Sequence, residues 1–274
     1  MKLLIYLNTL TILRLRTVLT TSIYFISLSI LHLIMILQYS ASRYISIWDY
    51  LLLSVGGVLV NDTVIRLLVW IGVLLPVLIY LYCLPSVNGA YDIVLLTRSG
   101  SRFRWWTAKY MAIMIIISIY GVWYGIIHFI TGSFFFSLQN DWGPLVKEEF
   151  IRIFQLQLSP ASIIGLAMLL FVSGLLAFCT LGQSFAIFFR HSRAASVILT
   201  ILLLAVYLCY SLKGLLFREL SPFHYPSFIS VIQTGAHGLS AFAYFLCFNI
   251  FLSFACYLLG LAAIRRISFT GKNG

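Results

Sequence analysis

The chain has 274 residues, 62% of them hydrophobic and 9% charged, with a formal net charge of +11. A soluble domain carries about 25% charged residues, so this composition excludes a soluble globular protein and leaves most of the surface facing lipid. The apolar runs far exceed the ~10 residues of a barrel strand and lack its alternation, which points to an all-α integral membrane protein forming one transmembrane domain over residues 1–274.

Residues 2–16, KLLIYLNTLTILRLR, are apolar with Lys2, Arg14 and Arg16 at the ends, the pattern of a helix lying on the inner membrane surface. A membrane span needs about twenty mostly apolar residues. Six segments qualify: 18–39, 64–84, 110–131, 161–189, 194–216 and 240–264. Small residues Ser40, Ala41 and Ser42 follow the first, as after a secretory signal. Its apolar run exceeds the roughly 7–15 residues of a signal core, so a retained anchor is expected. The run Leu51–Val60 has only ten residues and is expected to be re-entrant or interfacial.

Between the third and fourth spans, PLVKEEFIRIFQLQLSP puts Val146, Phe150, Ile153 and Phe154 on one helical face, with Glu148 and Arg152 as an i,i+4 pair. A short interfacial helix is expected there. The Pro-, His- and aromatic-rich stretch 217–238 is expected to form an outer hairpin or a pair of short helices. Five cysteines (Cys83, Cys179, Cys209, Cys247, Cys256) lie inside apolar runs without CxxC or metal-ligand spacing, and read as small core or lipid-facing residues.

Charge orients the chain. With both termini cytoplasmic and six spans, the inside segments hold twelve basic residues against one acid, Asp92. The outside segments hold six basic residues and six acids. That asymmetry obeys the positive-inside rule, and counting Leu51–Val60 as a span would break it. It also accounts for the net charge without a nucleic-acid partner. The expected location is the plasma membrane.

One inside segment concentrates the charge: YDIVLLTRSGSRFRWWTAKY, residues 91–110. Residues 90–97 can form two helical turns, Ser99-Gly100-Ser101 breaks them, and Ser101 can cap the helix that becomes the third span. Trp105, Trp106 and Lys109 stand where interfacial anchors belong. Two readings remain open from the residues alone: a snorkelling basic loop, or a protruding helix on which a soluble partner docks.

An amphipathic N-terminal helix, six spans and a short inside helix between spans two and three resemble the permease subunits of ABC transporters, closest to the type-2 exporter class. The pattern Arg98, Gly100, Ser101, Arg102, Trp105, Trp106, Lys109 is similar to the coupling-helix segment of small bacterial members. The resemblance covers the whole chain in architecture and about twenty residues in motif. It implies that Asp92, Arg98, Ser99, Arg102 and Arg104 contact a separate ATPase subunit, with Arg190 and Arg193 as a second contact. It further implies a second permease copy or a paralogue, and a translocation path along spans one, two and five. ATP and magnesium would be bound by the partner, with no cofactor on this chain. The long segment between spans one and two departs from the simplest members, which leaves the outer gate undefined.

A phosphate-binding Walker A loop is missing: Gly271-Lys272 is followed by Asn273, and Arg266 stands where the first glycine belongs. Glu148, Glu149 and Arg152 resemble the motif of CPBP-type membrane proteases, but the spacing is one residue short and no histidine has Phe four residues before it. No HExxH zinc motif occurs. A secondary transporter would want ionisable groups at mid-depth. The span interiors offer His32, His128, Gln183 and Asn249, with no acid, and His128 and Asn249 read as interhelical hydrogen-bonding residues. Gly121-x3-Gly125 marks a face where two helices can approach closely. A non-catalytic exporter subunit is therefore expected, its cargo an amphipathic peptide, antimicrobial or lipid-like molecule. A secondary transporter or a sensor subunit is the alternative.

Overall fold

The computed structural model describes residues 15–39, 44–57, 69, 71–76, 100–150, 153, 155–189, 197–198, 200–201, 227–234 and 239–266. Seven helices are named here: α1 (Leu15–Tyr39), α2 (Ile47–Val55), α3 (Arg102–Phe135), α4 (Pro144–Glu149), α5 (Pro160–Phe188), α6 (Phe228–Thr234) and α7 (Leu239–Arg266). No strand occurs among the described residues, in keeping with the all-α expectation.

Among the described residues, four helices are long and apolar enough to cross a membrane, and they lie in α1, α3, α5 and α7. They coincide with the first, third, fourth and sixth expected spans. The expected spans at 64–84 and 194–216 lie mostly outside the described residues, as does the surface helix expected at 2–16. Leu15 and Arg16 already belong to α1.

The third span was expected from Tyr110, on a helix whose start Ser101 can cap, and α3 begins at Arg102, directly after Ser101. Gly100, at φ +63, supplies the chain break, and Ser101 is the extended N-cap residue. The carbonyl of Ser101 accepts the Trp105 N–H at 3.1 Å, so the helix starts through its backbone rather than through the expected hydroxyl cap. Nothing between Ser101 and Tyr110 opposes a helix, and the basic segment after Gly100 forms the first two turns of α3.

α3 and α5 run antiparallel at close range. A methyl group on Gly121 would run into Val172, and one on Gly125 into Met168, so the two glycines do form a close-approach face. α5 is the hub of the bundle, touching α2, α3, α6 and α7. α5 and α7 run in the same direction, joined by hydrogen bonds from Asn249 Nδ2 to Ser173 Oγ (3.1 Å) and from Ser184 Oγ to the Cys256 carbonyl (2.8 Å). The side chains turned away from these contacts on α1, α3 and α7, such as Ile23, Val122 and Phe251, are large, apolar and exposed. That is the surface a lipid-facing bundle presents.

α2 takes in the first five residues of the apolar run 51–60, of which residues 58–60 lie outside the described residues. It is a nine-residue helix, too short to span, and begins at Ile47, before the run expected from composition. The Ser46 hydroxyl accepts the Asp49 N–H, and the Asp49 carboxylate accepts the Ser46 N–H, a reciprocal capping box. Every residue of α2 except Trp48 is buried. The Ile47 N–H donates to the Ser137 carbonyl at 3.3 Å, just past the end of α3. Farther along, Tyr50 packs on Gly132, and the Ser54 carbonyl accepts the Tyr124 hydroxyl at 2.9 Å. α2 thus folds back alongside α3 into the bundle, a short helix enclosed by protein. It turns at Gly57, whose φ of +91 and contact with Ser227 leave no room for a side chain. The Gly56 carbonyl accepts the Ile229 N–H of α6 at 2.8 Å.

α4 is the short helix expected in this stretch. Its helical residues end at Glu149, and the apolar residues Leu145, Val146, Phe150 and Ile153 are buried against α2 and α5 rather than spread on a surface. Arg152 and Phe154 lie outside the described residues. α6 supplies one short helix in the 217–238 stretch, the rest of which is described only at Ser227.

Candidate functional site

The first turns of α3 carry the described part of the basic segment. Arg102 reaches across to the end of α7, where its Nη1 donates to the carbonyls of Ile264 (3.2 Å) and Arg265 (3.1 Å). A cation on the last carbonyls of a helix satisfies otherwise open acceptors and complements the helix dipole. Trp106 donates its indole N–H to the Tyr257 carbonyl at 2.9 Å, and its ring lies flat against Gly260, where any Cβ would collide with it. Thr107 and Tyr257 share a hydroxyl hydrogen bond at 2.9 Å.

Trp105 and Trp106 are buried, clustered with Ala108, Ile187 and Ile264. They therefore sit inside the protein, where α3, α5 and α7 converge, instead of forming an exposed interfacial belt. Lys109 lies 4.6 Å above the Trp105 ring, within cation–π range. Arg104 is exposed. Asp92, Arg98, Ser99, Arg190 and Arg193, expected to complete the partner surface, lie outside the described residues. Of that set, the structure brings Arg102, Trp105, Trp106 and Lys109 into one assembly with the last helix.

A second polar assembly joins α1, α2 and α3. Nδ1 of His128 lies 3.0 Å from the Tyr124 carbonyl, and Nδ1 of His32 lies 3.1 Å from the Leu28 carbonyl. A carbonyl only accepts, so each Nδ1 carries the proton. His128 Nε2 then faces His32 Nδ1 at 3.4 Å as an acceptor. Tyr50 donates its hydroxyl proton to the Ser29 carbonyl (3.2 Å) and accepts the Ser29 hydroxyl (2.6 Å). The Ser54 hydroxyl donates to the Tyr50 carbonyl at 2.8 Å. His128 was legible from the sequence as an interhelical contact, and His32 only as a polar residue inside a span. Tyr50, Tyr124 and Ser29 were not, because an isolated Tyr or Ser in an apolar run resembles any other.

Along the α5–α7 seam, Gln183 Oε1 and Ser253 Oγ are buried without a hydrogen-bond partner. No group of three or more His, Cys, Asp or Glu residues suited to a metal occurs among the described residues. The assemblies described can orient and couple helices, and they hold no paired nucleophile and base.

At the opposite end from the tryptophans, Asp49 is fully buried. Burial raises its carboxyl to about 6, even though hydrogen bonds from Ser46 and Gly143 and the nearby Lys147 oppose the shift. Asp141, exposed and paired with Lys147 at 2.8 Å, is held below its ordinary value, first by the hydrogen bond from that lysine. The sequence carried a sign of the Asp49 site in Ser46-x-x-Asp49 ahead of an apolar run, a capping-box pattern.

The chain matches no family model, no curated protein and no solved structure.

Proposed function

We propose that this chain is the membrane-spanning, non-catalytic subunit of an ATP-driven exporter of the type-2 ABC class, working at the plasma membrane with a separate ATPase subunit and a second permease copy. The observation that carries the reading is the tie from Arg102 and Trp106 to the end of α7. A basic segment that only anchored the chain in lipid would need no such tie. A segment that receives a push from a soluble motor does need one, because force applied before Gly100 must reach more than one helix. Composition, the 91–110 motif and the absence of a Walker A loop in the sequence support the same assignment. The cargo favoured on this reading is an amphipathic peptide, antimicrobial or lipid-like molecule.

The test is co-purification with candidate ATPase subunits. Because Arg102 caps α7, reversing its charge would damage the bundle itself, so Arg98→Glu and Arg104→Glu are the informative changes. The double variant should release the ATPase while the chain keeps its thermal stability. If no ATPase co-purifies, or if the double variant retains it fully, the coupling assignment fails.

A second reading rests on the buried His32–His128 contact. Two imidazoles sharing a hydrogen-bonded path between membrane helices are the kind of group a proton-linked secondary transporter uses. Substrate-dependent proton flux in liposomes that disappears in His128→Gln would favour it over the exporter.

A further inference from the structure

The two ends of the bundle treat charge differently. At the end that holds Asp49, polar groups are joined to one another within the chain. The Gly143 N–H donates to Ser46 Oγ (3.1 Å) and Asp49 Oδ1 (3.0 Å), which fastens the loop after α3 to the start of α2, and Lys147 is paired with Asp141. The acids among the described residues, Asp49, Asp141, Glu148 and Glu149, all lie at this end. The end that holds the two tryptophans, cytoplasmic by the charge asymmetry, carries basic residues instead. There Arg102 is turned onto the carbonyls of α7, whereas Arg104 and Arg265 are exposed with no described acid beside them.

At this end α3, α5 and α7 stop at one level. Trp105 and Trp106 cluster with Ile187 of α5 and Ile264 of α7, and the Arg102 guanidinium reaches the Ile264 and Arg265 carbonyls. The residues next to these contacts are therefore neighbours: Phe103 and Arg104 on α3, Phe188 on α5 and Arg265 on α7. Phe103 is 52% exposed and Phe188 74%. Arg102 precedes Tyr110, where the apolar run of α3 starts, by eight residues, a rise of about 12 Å. The headgroup layer on one side of a bilayer is only about 5–8 Å deep. The ends of α3 and α7 thus stand clear of the lipid, and their rings and guanidinium groups face the aqueous side. Exposed aromatic rings set among arginines have the composition of a protein interface.

We propose that the end of α7 is part of the surface on which the soluble partner docks: Phe103, Arg104, Phe188 and Arg265 form one platform, and the partner covers it with an apolar patch rimmed by carboxylates. This rests on the exporter reading and adds a contact to it, because the 91–110 motif and the resemblance place the ATPase only on segments between spans. Charge complementarity selects the partner. An acidic face meets two exposed guanidinium groups that no described acid of this chain neutralises, and an apolar centre removes the two phenyl rings from water. The arrangement also has a mechanical consequence. A partner seated on α3 and α7 together moves both helices directly, and the Arg102 bridge keeps their ends in register while it does so.

The experiment is site-directed photo-cross-linking of the full chain in membranes, co-expressed with the ATPase subunit retained in the co-purification above. p-Benzoylphenylalanine is placed singly at Phe103, Phe188 and Arg265, with Phe134, 79% exposed at the other end of α3, as the control. Irradiation at 103, 188 and 265 should give adducts identified by mass spectrometry as the ATPase subunit, and 134 should give none. In parallel, the double variant Phe103→Asp, Arg265→Glu should retain the ATPase about tenfold less well with unchanged thermal unfolding, since both side chains are exposed. If the native chain retains an ATPase but position 265 links only to phospholipid or to nothing, α7 is no part of the platform: the inference fails and the exporter reading stands. If the native chain retains no ATPase, the exporter reading fails and takes the inference with it. Should the double variant unfold, the adduct at 265 decides alone.

Discussion

Arg102 and Trp106 illustrate how a side chain read as surface chemistry can be structural. From the sequence, a basic and aromatic run beside a membrane span has an obvious explanation in lipid, and nothing in the run itself reveals that its partners lie some 150 residues away. What fixes them is Gly260, a residue with no distinguishing neighbour in the sequence. The Trp106 ring occupies the space a side chain there would fill. Gly260→Ala should therefore lower stability by about 1–3 kcal/mol, the usual cost of forcing extra volume into a packed site. Gly165→Ala, in the second turn of α5 where nothing lies within 4 Å, should be neutral or slightly stabilising. Thermal unfolding of both variants in detergent, followed by intrinsic fluorescence, separates these outcomes. Asp49 makes the complementary point. Its capping role was written in Ser46-x-x-Asp49, whereas its burial depends on Gly143, which only the fold brings near.

At the scale of elements, hydropathy located α5 and α7 to within two residues at either end, because a membrane helix is bounded by where its apolar run stops. In α3 hydropathy marks only the apolar part from Tyr110, whereas the break at Ser99-Gly100-Ser101 marks where the helix itself starts. α2 was legible as too short to span, but not as enclosed: a buried short helix and an interfacial one share a composition, and the difference lies in what surrounds them. That enclosure rests on Gly132, over which the Tyr50 ring is packed. Gly132→Leu should push α2 out of its groove while the α5–α7 seam persists. The expected result is loss of amide protection in 47–55 with little change in α5 and α7, measured by hydrogen exchange.

For the molecule as a whole, the charge asymmetry and the four described membrane helices make a joint statement about sidedness. α3 connects the exposed Gly100 to the exposed Asp141 through a helix of 34 residues, about 51 Å at the standard rise. That length exceeds the ~30 Å hydrocarbon core, so the two positions should lie on opposite sides of the membrane. Single cysteines placed at Gly100 and at Asp141, in a chain whose native cysteines are changed to Ala, should react with a membrane-impermeant thiol reagent from opposite faces. Gly100 is expected on the cytoplasmic side. Labelling of both from one face would overturn the span assignment for α3.

The distance in sequence between Asp49 and Gly143 also bears on how the chain is made. A ribosome adding 5–20 residues per second delivers Gly143 ~5–20 s after Asp49 has emerged. For that interval the nascent α2 has no loop to bind, α3 emerges only in its second half, and α5 follows later still. Its own capping box, formed within four consecutive residues, is the contact available from the start. Ser46 thus acts first as a holding device during biogenesis and only afterwards as half of a joint. A chain lacking that hydroxyl would be expected to suffer in yield at insertion before it suffered in the stability of the finished protein.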